Sequence, residues 1–332
     1  MNRAMKEKMS QSMNIRRLPL LLGLGLLAAC GQQFDLPPQP PPQVPVEIDT
    51  YNLAKIWSVE APSAMASQGS LIYVIKGNQS IGAYFVNDQV ANQASIVSDF
   101  EGLIRPVQIA VAQRESIYVY VADEGDMSIK RYHFTGGSPR ASFTDSRWNE
   151  FSGLSADGFL NVYVSDATRD TVFKYTPTGQ PDMLVSDEGS GRGFVNQPHG
   201  LYWNGEYLIC ADTGKDWVQR LNGSVTNTAA PGPAIGEDFD LDSPEGVSAD
   251  RGDQEFVYVA DTGSDRVFKF TAEGTFVDSV YTASKIPLAS PVEDPKHLAV
   301  AGVLVFLADP PNDRILALEL AGVPDTTAAG RP

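Results

Sequence analysis

The chain is poor in the residues that supply most cross-linking and catalytic chemistry. Its 332 residues include only two cysteines and three histidines, and 25 basic residues face 41 acidic ones. One cysteine, Cys30, belongs to an amino-terminal segment treated below. That leaves Cys210 alone and no disulfide within the mature chain. Cys210 falls in the alternating run Leu208-Ile-Cys-Ala211, so it reads as a buried, inert thiol rather than a nucleophile. The shortage of Lys and Arg excludes the basic face that a nucleic acid requires. It also argues against direct binding to anionic lipid surfaces. Apolar runs are short: Leu18–Leu27 falls below the roughly 20 residues of a membrane-spanning helix.

What the chain does have is one recurring phrase. It reads Tyr120-Val-Ala-Asp123, Tyr163-Val-Ser-Asp166, Ile209-Cys-Ala-Asp212, Tyr258-Val-Ala-Asp261 and Phe306-Leu-Ala-Asp309. The aspartates are spaced by 43, 46, 49 and 48 residues. A short turn and a second alternating run follow each, as in Val172-Phe-Lys-Tyr175 and Val267-Phe-Lys-Phe270. A period of 40 to 50 residues built from short strands predicts an all-β, six-bladed β-propeller with one repeat per blade. A degenerate first blade, Ser70-Leu-Ile-Tyr-Val-Ile75, carries Lys76 in the aspartate register, 47 residues before Asp123. The sixth blade lacks an outer strand, and the run Leu53–Val59 is expected to supply it from the amino-terminal side. Closing the ring in this way removes an exposed sheet edge.

The phrase Tyr-Val-Ala-Asp-Thr-Gly-x-x-Arg-Val, with Pro-x-Gly-Val about 15 residues earlier, resembles the NHL repeat. The linker Gly189–Gly200 is similar to that family's inter-blade segment. The resemblance spans roughly residues 100 to 320 and implies a six-bladed ring. The family includes binding modules, partner-docking domains and a few enzymes, so the resemblance implies little about chemistry.

At the amino terminus Arg16-Arg17 precede the apolar run and Ala28-Ala29-Cys30, an arrangement of basic, hydrophobic and small-residue regions typical of a signal peptide. Leu27-Ala-Ala-Cys30 resembles the bacterial lipobox, which implies a lipidated Cys30, and Gly31 is not the aspartate associated with inner-membrane retention. Met13 is a more typical start than Met1. The segment Pro37–Pro45 is proline-dense and is expected to form an extended spacer of on the order of 30 Å. The predicted organisation is a signal peptide over 1–29, a lipidated cysteine and linker over 30–50, a propeller over 51–320 and a polar tail over 321–332. Residues 1–29 hold five basic residues and one acidic one, so the mature chain keeps 20 against 40, a net charge near −20.

Several signals for chemistry need weighing. Asp212-Thr-Gly214 and Asp261-Thr-Gly263 repeat the tripeptide of aspartic proteases, whose two carboxylates must share one proton. Here both copies sit in one hairpin of neighbouring repeats, which favours a structural role. In that role the carboxylate takes turn amides and pairs with the arginine five residues on, Arg266 or Arg314. Glu237-Asp-Phe-Asp-Leu-Asp242 lacks the glycine and glutamate of a calcium loop, because Ser243-Pro244 follows. It reads as a solvated acidic loop.

The histidines are the best lead. His199 and His297 open innermost strands, which line the channel of a propeller, with Glu245 and Lys296 in the same register. These four are the candidate ligand-binding residues. Some NHL-type lyases hold zinc with channel histidines, so the resemblance makes His199, Glu245 and His297 the candidate metal ligands. His133 lies away from the axis, on a third strand, which leaves two imidazoles and one carboxylate. Gluconolactonase-like propellers share the ring but open the first blade with an acid, and Ala61–Ala66 has none.

The sequence thus predicts a lipid-anchored cell-envelope protein, in the outer membrane and facing the periplasm or the surface. It is expected to contact the membrane through the lipid, to need no cofactor, and to bind an envelope protein or small molecule. A metal-dependent lyase or lactonase-type hydrolase acting at the channel is the alternative.

Overall fold

In the computed structural model the described residues are 51–320, apart from 78, 88–89, 94–98, 231 and 251–255. Cys30, the proline-dense spacer and the polar tail lie outside them. Strand β1 (Tyr51–Ser58) is followed by six sheets in sequence. Blade one holds β2 (Pro62–Gln68), β3 (Leu71–Lys76), β4 (Ser80–Asn87) and β5 (Val90–Gln93). Blade two holds β6 (Pro106–Gln113), β7 (Ile117–Asp123), β8 (Ser128–His133) and β9 (Gly136–Phe143). Blade three holds β10 (Gly153–Ala156), β11 (Val162–Asp166), β12 (Thr171–Tyr175) and β13 (Pro181–Ser186). Blade four has β14 (Pro198–Trp203), β15 (Leu208–Asp212) and β16 (Trp217–Leu221). Blade five has β17 (Pro244–Ala249), β18 (Phe256–Asp261), β19 (Arg266–Thr271) and β20 (Phe276–Tyr281), and blade six has β21 (Leu298–Ala301), β22 (Leu304–Asp309) and β23 (Arg314–Leu320). First strands pack in a closed cycle, β2 to β6, β10, β14, β17, β21 and back to β2. Six sheets therefore surround one axis.

The phrase that repeats in the sequence is each blade's second strand. β11 and β15 are buried at every position, because a neighbouring blade covers each face of the sheet; such strands read as continuous apolar runs. Outer strands alternate instead, as in β9 and β1. The expected closure is present: β1 pairs antiparallel with β23 from Tyr51 opposite Leu320 to Ser58 opposite Arg314. Trp57 packs 4.9 Å from the Phe306 ring, and the Tyr51 hydroxyl lies 3.2 Å from that of Tyr258 in blade five.

Blade four departs from the four-strand pattern. Among the described residues, its outer edge is met by Ala229 and Ile235 in isolated bridges, Val218 to Ile235 and Leu221 to Ala229. Pro233 lies between them and lacks the N–H group that a ladder needs.

The repeated aspartates are fully buried, and in blades two to five they tie the hairpin to the segment leading into its own blade. Asp123 accepts from the Ile104, Arg105 and Gly125 amides, Asp212 from Asn196 and Asp261 from Asp242. The expected arginine pairing holds at Arg314, whose Nε is 2.6 Å from Asp309. It does not hold at Arg266, which is exposed; Asp261 takes the Ser264 hydroxyl instead. A second aspartate, four residues on, links successive blades. Asp170, Asp216, Asp265 and Asp313 are left-handed at φ 50°, 54°, 57° and 48°. Their carboxylates accept the backbone N–H of Gln197, Ser243, Asp294 and Ala61 in the next blade's leading segment at 2.6 to 2.9 Å. Asparagine and aspartate tolerate this backbone better than other side-chain-bearing residues.

Candidate functional site

The six first strands enclose an axial cavity of about 290 Å³. Four of them begin with a proline, Pro62, Pro106, Pro198 or Pro244, opposite Lys76, Asp123, Asp212 or Asp261, after which the register slips. Bulges re-aim the residues inside them, and here those include His199 and Glu245. Close contact between blades compounds this. A Cβ on Gly200 would sit 2.6 Å from the Glu245 carbonyl oxygen, and one on Gly246 would sit 2.3 Å from that of Lys296. Only glycine lets these backbones meet.

All four sequence candidates, His199, Glu245, Lys296 and His297, line this cavity. His133 does not. It bridges Ser116 and Thr135 on blade two, at 3.1 and 2.8 Å.

His199 has a defined tautomer. Its Nδ1 lies 3.0 Å from the Gln197 carbonyl and 2.9 Å from Thr213 Oγ1. A carbonyl only accepts, and the Thr213 hydroxyl donates to the Pro244 carbonyl at 2.6 Å. Nδ1 therefore carries the hydrogen, which makes Nε2 of the neutral ring an acceptor. Lys296 donates to Glu245 Oε1 at 3.0 Å. His297 is half-buried, and burial, followed by the charge of Lys296, pushes it down to about 4. It is neutral at physiological pH. Among the described residues its ring nitrogens have no hydrogen-bond partner.

Other lining residues were not singled out by sequence. Gln108 donates to the Ser152 carbonyl at 2.9 Å. The Ser152 hydroxyl donates to Glu150 Oε1 at 2.7 Å, and the Thr168 amide donates to the same oxygen at 3.1 Å. Glu124 reaches the cavity from the blade-two hairpin and pairs with Arg105 at 3.0 Å. Glu150 and Ser152 escape a motif search because Phe151 stands where other blades have proline. Glu124 escapes because it follows the repeat aspartate rather than opening a first strand.

The cavity gathers His199, Glu245 and His297 without making them one ligand group. Among the described residues no cluster of three His, Cys, Asp or Glu side chains is arranged to hold a metal ion. The two Asp-Thr-Gly copies serve blade packing: Thr213 and Thr262 each donate to the carbonyl of the next blade's Pro244 or Pro295. Cys210 is fully buried, with its thiol pushed well up by burial.

No known protein family and no curated protein matches the chain. Solved structures do match. A streptogramin B lyase has a TM-score of 0.55 at 11% identity, covering 82% of this chain and 98% of that one. A nidogen/laminin complex gives 0.56 at 17%, over 74% of this chain and 86% of the other. The PQQ-bound aldose sugar dehydrogenase of Streptomyces coelicolor gives 0.54 at 16%, over 81% and 98%. The chain is a six-bladed β-propeller. At these identities the likeness concerns the ring alone, which in these neighbours hosts both a protein complex and enzymes.

Proposed function

We propose that this chain is an NHL-type lipoprotein of the bacterial cell envelope, in the outer membrane and facing the periplasm or the surface. In this reading its propeller is a binding module for a small ligand, or for a small protruding part of an envelope protein. The observation that supports it is the axial cavity, about 290 Å³ and lined by polar side chains from blades two to six. Cavities from about 300 Å³ upward with a few convergent polar groups are the usual small-ligand sites. A second reading, a lyase or lactonase-type hydrolase, draws on one observation: the fixed tautomer of His199 makes Nε2 a potential base.

A thermal-shift screen of small solutes on the full chain in mild detergent, with mass analysis of each recovered solute, separates the two. The binding reading expects a stabilising solute to be recovered unchanged, with its effect lost in the His199→Ala/Glu245→Ala variant. Conversion of the solute would establish the enzyme. Anchoring is tested by Cys30→Ser, which should move the protein from membranes to the soluble extracytoplasmic fraction. Retention in the membrane pellet after a high-salt wash would sink that part.

A further inference from the structure

The hydrogen-bond inventory of the cavity selects a class of ligand. Its side-chain donors at His199, Gln108, Ser152 and Lys296 each give at least one bond within the protein, although Lys296 keeps further N–H groups. His199 Nδ1–H goes to Gln197 and Thr213, the Gln108 amide to Ser152, the Ser152 hydroxyl to Glu150 and the Lys296 ammonium to Glu245. The uncommitted atoms are mostly acceptors: His199 Nε2, Gln108 Oε1, Oε2 of Glu150, and the second carboxylate oxygens of Glu124 and Glu245. Three carboxylates line the cavity against one ammonium. His297 adds a neutral ring without a partner among the described residues.

We propose that the axial cavity receives a small organic cation bearing a primary ammonium or guanidinium group; this rests on reading the propeller as a binding module. An ammonium carries three donors and a guanidinium five, and neither has an acceptor. Such a group complements an acceptor-lined pocket, and its hydrogen bonds to carboxylates are charge-assisted. Metal ions fit less well: they need several oxygens converging at about 2.0 to 2.6 Å, and these acceptors are spread over blades two to five. A neutral polyol leaves the excess of carboxylates uncompensated. The acidic chain, with a formal net charge of −16, further attracts cations to the molecule.

The test is titration calorimetry on the full chain in non-ionic detergent with agmatine, cadaverine, xylitol, glutarate and calcium chloride. Agmatine and cadaverine should bind, and binding should weaken as NaCl is raised. Glu150→Gln, which keeps an acceptor for the Thr168 amide, should weaken agmatine about tenfold or more, as should Glu124→Gln on the exposed hairpin. Thermal melts confirm that both variants fold. Binding of xylitol or glutarate as tight as that of agmatine, lost in His199→Ala, would overturn the cation class while keeping the binding module. Calcium binding lost in Glu150→Gln would replace the organic cation with a metal. Binding of agmatine with its conversion would keep the ligand class and sink the module reading. No binding of either amine overturns the proposal.

Discussion

The junctions between blades fall into two kinds. From blade three round through six to one, each hairpin sends a left-handed aspartate across to the next blade: Asp170 to Gln197, Asp216 to Ser243, Asp265 to Asp294 and Asp313 to Ala61. The receiving residues are themselves left-handed, at φ 50°, 54°, 49° and 36°, so the fastening is a matched pair of turns. From one to two and from two to three this aspartate bridge is missing. Met127 holds the left-handed position in the blade-two hairpin, and long side chains do the bridging. Tyr73 donates to the Phe134 carbonyl, Tyr120 to Leu160, and Arg131 to Pro177. Phe100 wedges between Tyr73 and Tyr132, with ring centroids 6.2 and 5.1 Å away. A ring tolerates divergent repeats where bulky side chains span the interface, and keeps strict repeats where the backbones themselves meet.

The largest effect should come from the junction where the ring closes. β1 supplies the outer strand of blade six, and Val59 N and Ala61 N both bond to Asp313. Removing residues 51–58 uncovers the edge of β23 and should leave the protein aggregated. The milder Trp57→Ala should cost about 3 to 5 kcal/mol, read as a denaturant midpoint shift. Removing 321–332, which carries no alternating apolar run, should do little. Equal effects from the two deletions would refute closure by β1.

A smaller effect, with its own pH signature, separates the hairpins by what surrounds their buried aspartates. The Asp123 carboxyl is pushed up by burial, but Lys130 and three backbone amides outweigh this, and it ends below its usual value. Asp212 has Lys215 at 3.2 Å and Asp309 has Arg314. Among the described residues Asp261 takes the Ser264 hydroxyl and one amide, and burial raises it to about 6, with Asp242 and Asp216 adding repulsion. A carboxyl raised in the fold binds more protons there than in the unfolded chain between about pH 4 and 6. Its contribution is therefore complete below pH 4 and is lost as pH rises through 6. Asp261→Asn should raise stability at pH 7 by on the order of 2 kcal/mol and give no advantage at pH 4. An equal gain at both pH values would show that charge is not the cause.

These contrasts also mark what the sequence made legible. Tyr-Val-Ala-Asp announces a blade because a second strand buried on both faces tolerates little else, and the closing strand is readable as an apolar run without a repeat of its own. The missing strand of blade four was not readable. Residues 222–243 are long enough to hold one, and only the isolated bridges of Ala229 and Ile235 to β16, on either side of Pro233, show that they do not. His199, Glu245, Lys296 and His297 were found because they share one register of one strand. Glu124, Glu150 and Gln108 were not, because the axis gathers them from a hairpin, a divergent first strand and a register held by glycine in three other blades.

The smallest effect concerns the fastening itself. Asp216 is exposed, and its carboxylate holds the Ser243 amide at 2.9 Å. Replacing it by alanine removes one charge-assisted hydrogen bond and places a less tolerant residue at φ 54°, a loss of about 1 to 2 kcal/mol. Asp216→Asn keeps an acceptor and tolerates the left-handed backbone, so it should recover most of that loss. Asp216→Gly relieves the backbone alone and should fall between the two. The order Asn, Gly, Ala in melting temperature identifies a bond plus a backbone preference. If glycine matches asparagine, the carboxylate contributes nothing, and the fastened and unfastened junctions differ only in the shape of their turns. Met127→Asp then provides the converse check. Its side chain occupies the equivalent turn, and Arg105, in the segment leading into its own blade, already bonds to Asp123. A new carboxylate there should add no comparable stability, because the next blade begins at Glu150 and Phe151 without a matching left-handed residue.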